Sequence, residues 1–345
     1  MNDPPKILLV FNRHVHDTYV GAKDLERLRA FADPVWSEDL LNPDALRPAL
    51  RDAAGVLLCH GAPRITEDLL AGAENLRILG ELEGDRFAER IDVDAAVRRG
   101  VRVVDTTNGS SYPVSEWALA LILISLRNAG EYFRRLIAGE AYRRPPDDRG
   151  FVDGELTGRR VGLIGGGHVG RRLIELLRPF RAEVWVHDPY LPKDIPDLMG
   201  FTLTSLENVL SQCGVIVCCA PLTPKTRRMI GRRELDLIPS GSVLVNVSRG
   251  AIIDPDALIE RLRRGGLVAG LDVFDPEPIP VDSPIRQLSN VFLSPHIAGV
   301  TGASRTRFFS LMVDELDRFF HGHETLYDLN SRALANRRGE EPPVR

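Results

Sequence analysis

Residues 159–190, RRVGLIGGGHVGRRLIELLRPFRAEVWVHDPY, confine this chain to few architectures. Gly165, Gly167 and Gly170 form a G-x-G-x-x-G turn, preceded by an apolar run at 160–164 and followed by an amphipathic stretch at 168–177. In that stretch Val169, Leu173, Ile174 and Leu177 share one helical face, and Arg171, Arg172, Glu175 and Arg178 share the other. A second apolar run ends at Asp188, 18 residues beyond Gly170. Three spaced glycines alone say little. Bracketed by strand and helix and trailed by an acid, they specify a βαβ unit that cradles a dinucleotide. Gly165 permits the tight turn, Gly167 lets the backbone approach the pyrophosphate, and Gly170 lets helix and strand pack closely. The helix start presents unpaired N–H groups and a partial positive charge to phosphate. Gly165, Gly167, His168, Val169 and Gly170 are therefore expected to line the cofactor. Asp188 is expected to accept hydrogen bonds from the adenine ribose. A 2′-phosphate there would meet a like charge, and the following Pro189 and Tyr190 are not basic, so NAD is expected over NADP.

The rest of the chain repeats the same rhythm. Strands are expected at 6–11, 55–60, 76–81 and 101–106, with helices at 22–31, 43–52 and 66–73 between them. Alternation of this kind builds a parallel sheet covered by helices. Residues 113–137 read as one helix, apolar nearly all round at its start and so expected to be buried on every side, at a domain or subunit interface. Residues 139–153, polar and containing Pro145 and Pro146, read as loop. A second series of strands is expected at 160–164, 183–188, 215–220, 242–247, 268–273 and 291–293, with a further helix at 256–264. A last amphipathic helix is expected at 303–320, on the spacing of Phe308, Met312, Leu316 and Phe319. Charged and proline-rich residues 331–345 are expected to be a disordered or loosely attached tail.

At 345 residues there is chain for two domains. Hydrophobic content of 43%, charged content of 27% and a net charge of −4 describe a globular protein with no nucleic-acid or anionic-membrane partner expected. The longest apolar run, 117–126, is too short to span a bilayer. Cys59, Cys213, Cys218 and Cys219 form no C-x-x-C pair and are expected as reduced core thiols of a cytoplasmic protein. His14-x-His16 and His321-x-His323 lack a third spaced ligand, so no metal is expected.

Three residues downstream of the glycine turn carry reaction chemistry. Arg249 in VLVNVSRGAIID, Glu277 in GLDVFDPEP and His296 in VFLSPHIAG each follow a strand. In an open parallel sheet, strand ends form the ligand crevice. When a hydride leaves a carbinol carbon, its hydroxyl must lose a proton, and an imidazole suits that exchange near neutral pH. A carboxylate on the other ring nitrogen fixes the tautomer, and a guanidinium grips a substrate carboxylate. His296, Glu277 and Arg249 are expected in those roles.

Residues 162–301, with VGLIGGGHVG, CAPLTPKTRRMIG, VLVNVSRGAIID, AGLDVFDPEP and LSPHIAG, closely resemble the D-isomer-specific 2-hydroxyacid dehydrogenases, a phosphoglycerate dehydrogenase-like family. The resemblance extends more loosely over 55–126. It implies an α/β protein of two domains, with an NAD-binding Rossmann domain (105–297) inserted into a flavodoxin-like substrate domain (1–104 and 298–330). It implies a homodimer formed through the helix near 114–126, and interconversion of a D-2-hydroxy acid with its 2-oxo acid. By motif position Arg249 resembles the substrate-binding arginine, Glu277 the partner of the acid/base His296, and Asp272 the residue that holds the nicotinamide carboxamide. Formate dehydrogenases of the family carry glutamine in place of that glutamate, so Glu277 argues against formate.

One loop departs from the pattern. Many members read G-x-G-x-D-N-I-D where this chain has GELEGDRFAERIDVDAA, residues 80–96. Gly84 remains among Glu81, Glu83, Asp85 and Arg86. Such an acidic loop is at odds with a plain anionic substrate, and is expected either to turn outward or to recognise a polar or cationic part of the substrate. His60, Gly61 and residues 106–113 are expected to border the same site, and Arg64 and Arg86 are the loop cations that could serve a phosphorylated substrate. Two other readings keep the fold: an NAD-binding corepressor-like protein, which would need a peptide cleft and long extensions, and an enzyme acting on a non-carbon hydride donor such as phosphite.

Overall fold

The computed structural model describes residues 3–84, 87–140 and 154–343. Most of the expected loop at 139–153, and Asp85 and Arg86, lie outside the described residues. The chain divides into two compact units, an outer one of Met1–Ser110, Val300–Arg337 and Pro343–Arg345 and an inner one of Ser111–Gly299 with Arg338–Pro342. It is an α/β protein in which a Rossmann unit is inserted, in chain order, into a flavodoxin-like unit.

The outer sheet holds β1 (Lys6–Val10), β2 (Asp33–Trp36), β3 (Gly55–Leu58), β4 (Ile78–Glu81) and β5 (Arg102–Asp105), in the order β2-β1-β3-β4-β5. All pairings are parallel, and 2-1-3-4-5 is the flavodoxin-like order. Sequence patterning misses β2. Its four residues, DPVW, are not fully buried and hold a proline, as an edge strand tolerates. The short helix Arg13–Tyr19 is missed too. It buries only Val15 and Tyr19, and the Asn12 side chain caps it by accepting from the Val15 N–H at 3.0 Å. One face of the sheet is closed by the helix Gly302–Phe320, whose Phe308, Phe309, Met312, Val313 and Leu316 pack with Ile7, Leu9, Leu57 and Ile78 in one core.

The chain beyond that helix is built in. The buried Glu315 carboxylate accepts from the N–H groups of Leu326 (2.7 Å) and Tyr327 (2.9 Å). Asp105 N–H donates to the Tyr327 carbonyl at 3.0 Å, and Leu329 N–H to the Val103 carbonyl at 2.9 Å, so residues 327–329 dress the β5 edge. Ser331–Arg338, expected as loose tail, is a helix. Asn330 accepts from the Ala333 N–H at 3.0 Å, while Ala335 is buried and Leu334 packs on the core. A short apolar contact and a cap order residues whose composition alone suggests disorder.

The inner sheet holds β6 (Arg160–Ile164), β7 (Glu183–His187), β8 (Thr202–Leu203), β9 (Val215–Cys218), β10 (Ser242–Asn246), β11 (Leu267–Leu271) and β12 (Val291–Leu293). Its order is β12-β11-β10-β9-β6-β7-β8, parallel throughout. The direction of strand succession reverses between β6 and β9, which is where a doubly wound sheet opens a ligand crevice. The expected single helix at 113–137 is two, Ser111–Leu126 and Ala129–Ile137. Asn128, in left-handed conformation at φ 44°, breaks it, and Gly130 lies so close to Phe292 of β12 that a Cβ would stand 2.7 Å from its ring. Nor is it buried all round. Ala118, Leu121, Ile122 and Leu126 face the core, whereas Leu123, Phe133, Leu136 and Ile137 are exposed.

Among the described residues, no helix is long and apolar enough to cross a membrane. All four cysteines are free thiols, buried except for the half-buried Cys219.

Candidate active site

The glycine turn sits at the reversal point of the inner sheet. Gly165 ends β6 with φ +102°, and its N–H donates to the His187 carbonyl at 2.8 Å. A side chain there would be strained by the backbone and would stand 2.8 Å from the Ala220 nitrogen, beyond β9. At Gly170 a Cβ would collide with the Gly165 carbonyl, so helix and strand pack here without room for a methyl group. Gly167 is the N-cap of the helix His168–Leu177 and provides no side-chain cap. A helix start without a side-chain cap presents N–H groups and a partial positive charge to an anion such as pyrophosphate. Val169 opens the same helix beside His168.

Asp188 lies beyond β7 and faces the turn. Its Oδ2 accepts from the Gly166 N–H at 2.9 Å and its Oδ1 from the Tyr190 N–H at 2.8 Å. Each oxygen retains a second lone pair.

Glu277 and His296 are in direct contact: His296 Nδ1 lies 2.6 Å from Glu277 Oε1. A carboxylate only accepts, so Nδ1 carries the hydrogen and Nε2 is left to exchange a proton. The second carboxylate oxygen, Oε2, accepts from the Phe274 N–H at 3.3 Å. His296 holds a left-handed backbone, φ 52°, uncommon for a residue with a side chain. The strain is met by Asp272. Its carbonyl accepts from His296 N–H (2.9 Å), its Oδ1 from Ile297 N–H (3.1 Å) and its Oδ2 from Ala298 N–H (3.0 Å). Asp272 is wholly buried, and Trp117 Nε1 (3.2 Å) and Ser294 Oγ (2.5 Å) also donate to its Oδ1. Wholly buried, it clamps the 296–298 turn in this arrangement.

Arg249 stands at the end of β10, on the adjoining turn. Its Nη1 donates to the Ser248 carbonyl at 2.8 Å, and Asn246 Nδ2 donates to the Arg249 carbonyl at 3.1 Å. Gly250 is pressed against the Phe274 backbone so closely that no Cβ fits, which locks the arginine's turn to the loop that carries Glu277. Trp117, Asn246 and Ser294 brace these residues; Asn246 and Ser294 lie inside the quoted motifs but show no reaction chemistry of their own, and Trp117 lies 155 residues from its partner Asp272.

In the outer unit the described acids of the departing loop turn inward, so the outward expectation does not hold for them. Glu81, fully buried, pairs with the Arg90 guanidinium and accepts from the Arg90 N–H at 3.0 Å. Burial raises its carboxyl to about 7 against the pull of Arg90. Glu83 accepts from the Tyr19 hydroxyl and stands 3.4 Å from His60 Nε2. Against the cost of its burial, the hydrogen bonds from His60 and Tyr19 leave its carboxyl below the ordinary value. Among the described residues, Cys59, His60 and Glu83 bring a thiol, an imidazole and a carboxylate within 4.8 Å of one another, a grouping the sequence did not announce. Burial pushes the Cys59 thiol up to about 12, and the Arg90 Nη2 sits 3.3 Å from His60 Nδ1.

Comparison with known proteins places the chain in a family. Residues 119–298 match the family model described as the D-isomer specific 2-hydroxyacid dehydrogenase, NAD binding domain. The chain is 33% identical over 304 residues to a glyoxylate reductase of Aeropyrum pernix, covering 86% of this chain and 90% of that one. It is 32% identical over 284 residues to a D-3-phosphoglycerate dehydrogenase of Methanocaldococcus jannaschii, covering 82% of this chain but 52% of that one, so it spans about half of that relative's length. Its fold superposes with a TM-score of 0.81 on the apo D-mandelate dehydrogenase of Rhodotorula graminis, at 24% identity, covering 94% and 97% of the two chains.

Proposed function

The chain belongs to the D-isomer specific 2-hydroxyacid dehydrogenase family, an oxidoreductase family that works with NAD, and from that premise we propose that it interconverts a D-2-hydroxy acid and its 2-oxo acid. NAD, when bound, takes or gives the hydride at the substrate's second carbon. The inner unit is assigned the cofactor and the outer unit the substrate's recognition.

The observation that carries this reading is the 2.6 Å contact between His296 and Glu277. With Nδ1–H committed to the carboxylate, Nε2 takes the hydroxyl proton during oxidation and returns it during reduction. Glu277 stabilises the imidazolium formed in between. Arg249 binds the substrate carboxylate and polarises the neighbouring carbonyl. Asp272 acts as a positioning residue, holding His296 in its left-handed conformation through the N–H groups of residues 296–298. The uncapped start of helix His168–Leu177 receives the pyrophosphate, and Asp188 reads the ribose and selects NAD over NADP. Because Glu81 and Glu83 spend their charge on Arg90, His60 and Tyr19, the acidic loop no longer argues against an anionic substrate.

Exposed Phe133, Leu136 and Ile137 support pairing as a homodimer through this helical segment, and the four free thiols suit a reducing, cytoplasmic setting. The test is a steady-state assay of NADH oxidation with a panel of 2-oxo acids, glyoxylate and hydroxypyruvate included. Turnover of at least one, abolished in Arg249→Ala, supports the proposal. Absence of turnover with every member, in folded protein that binds NADH, refutes it.

A further inference from the structure

The segment Arg338–Pro342 folds with the inner unit. It lies across two loops, the one after β7 that carries Asp188 and Tyr190 and the one after β9 at 221–225. The Tyr190 hydroxyl donates to the Glu340 carbonyl at 2.5 Å, and the Lys225 ammonium pairs with the Glu341 carboxylate. Gly339, at φ +68°, turns so tightly over Pro224 that a Cβ would stand 3.2 Å from the proline's own. Arg338 lies 3.8 Å from the Glu340 carboxylate. Burial holds the Tyr190 phenol above its ordinary value, and the charges of Lys225, Glu341, Asp188 and Glu340 all reach it. Asp188, Tyr190, Lys225, Glu340 and Glu341 thus share one small electrostatic neighbourhood.

That neighbourhood matters because β6 and β9 flank the reversal of strand order and Asp188 ends the strand next to β6. In this architecture the loops there border the adenosine half of a dinucleotide. The loops 188–194 and 219–231 hold Lys193, Lys225, Arg227 and Arg228; of these Lys225 is the one that pairs with Glu341, and an ammonium is what a 2′-phosphate would seek. We propose that Glu341, presented by the segment Arg338–Pro342, is a cofactor-discriminating residue: it engages Lys225 and adds negative charge beside Asp188, so that NADP is disfavoured from two sides. The inference rests on the assignment of the adenine ribose to Asp188.

Glu341 is 85% exposed, so its leverage is that of a surface charge, about two- to fivefold in an equilibrium constant. Fluorescence titration of the full chain with NADH and NADPH at low ionic strength reads it without any substrate. Glu341→Gln is expected to tighten NADPH by about two- to fivefold and to leave NADH within twofold. Adding Lys225→Ala should remove the gain, and roughly 0.5 M salt should erase it. An unchanged NADPH to NADH ratio in Glu341→Gln, while Asp188→Ala shifts that ratio, overturns the inference and leaves the ribose assignment standing. If neither variant shifts the ratio, the ribose assignment fails and the inference with it. Equal weakening of both nucleotides, or a gain that survives Lys225→Ala, would make the segment a structural prop and also refutes it.

Discussion

At His296 the bond to Glu277 leaves Nε2 as the ring nitrogen that can face a substrate oxygen. His296→Ala is therefore expected to lower kcat by roughly 10²–10⁴-fold, the scale of a positioned acid/base, with NADH affinity unchanged. Single-turnover kinetics and a binding titration check this together, and a collapse of NADH binding would mean that the side chain serves the cofactor. The pair could be named from sequence because its chemistry is carried by residue type and motif. The hold of Asp272 on the turn could not, since it depends on three consecutive N–H groups converging on one buried acid. Glu81 makes a second residue-scale expectation. Burial lifts its carboxyl from an ordinary value near 4.5 to about 7 in the folded chain. Between those values the folded state keeps a proton that the unfolded chain has released, so this group favours folding at the acid end and loses that contribution as pH rises through the window. Thermal melts from pH 5 to 8 should show a shallower decline in Glu81→Gln than in the wild type. Parallel curves would show that Glu81 titrates alike in both states.

Among the elements, those that bury a continuous apolar face were legible: the inner strands except β8, the helix His168–Leu177, and the helix Gly302–Phe320 to within a residue of its start. Those missed bury little or are set by contacts from afar. β2 and the helix Arg13–Tyr19 carry too few core residues to show a period. The break at Asn128 is fixed by the approach of Gly130 to Phe292, and the helix at Ser331–Arg338 by a cap and an edge strand. At the candidate site the motifs hold the reacting groups and also the bracing residues Asp272, Asn246 and Ser294, whose part is set by contacts that residue type does not announce. The 296–298 turn is an element held by one residue. Asp272→Ala would strip acceptors from the Trp117 indole, the Ser294 hydroxyl and the Ile297 and Ala298 N–H groups. Buried donors left unmet cost about 1–3 kcal/mol each, so a loss of several degrees in Tm is expected alongside a fall in kcat. A Tm equal to the wild type's would show that Asp272 does not clamp the turn.

For the molecule as a whole, the exposed helical segment makes assembly a measurable matter. Phe133 and Ile137 are 66% and 73% exposed in the single chain, and neighbouring apolar side chains left in water favour association. Sedimentation equilibrium should return twice the 38.3 kDa chain mass, and Phe133→Glu with Ile137→Glu should return the monomer with the far-ultraviolet spectrum retained. A wild-type monomer at micromolar concentration would exclude this face as the pairing surface. The order of the chain has a further effect. The N-terminal sheet needs Phe308, Phe309, Met312 and Leu316 to cover one side, yet Ser111–Gly299 is made in between. A fragment of residues 1–110 should consequently bind a hydrophobic dye and show no cooperative melt, and a sharp transition in that fragment would disprove the dependence. At about 5–20 residues per second, a ribosome holds that half-covered sheet open for roughly 10–40 s. The sheet of residues 6–105, translated before the inserted unit, is thus stable only after it, and it is during this interval in the cell that chaperones would have the most to protect.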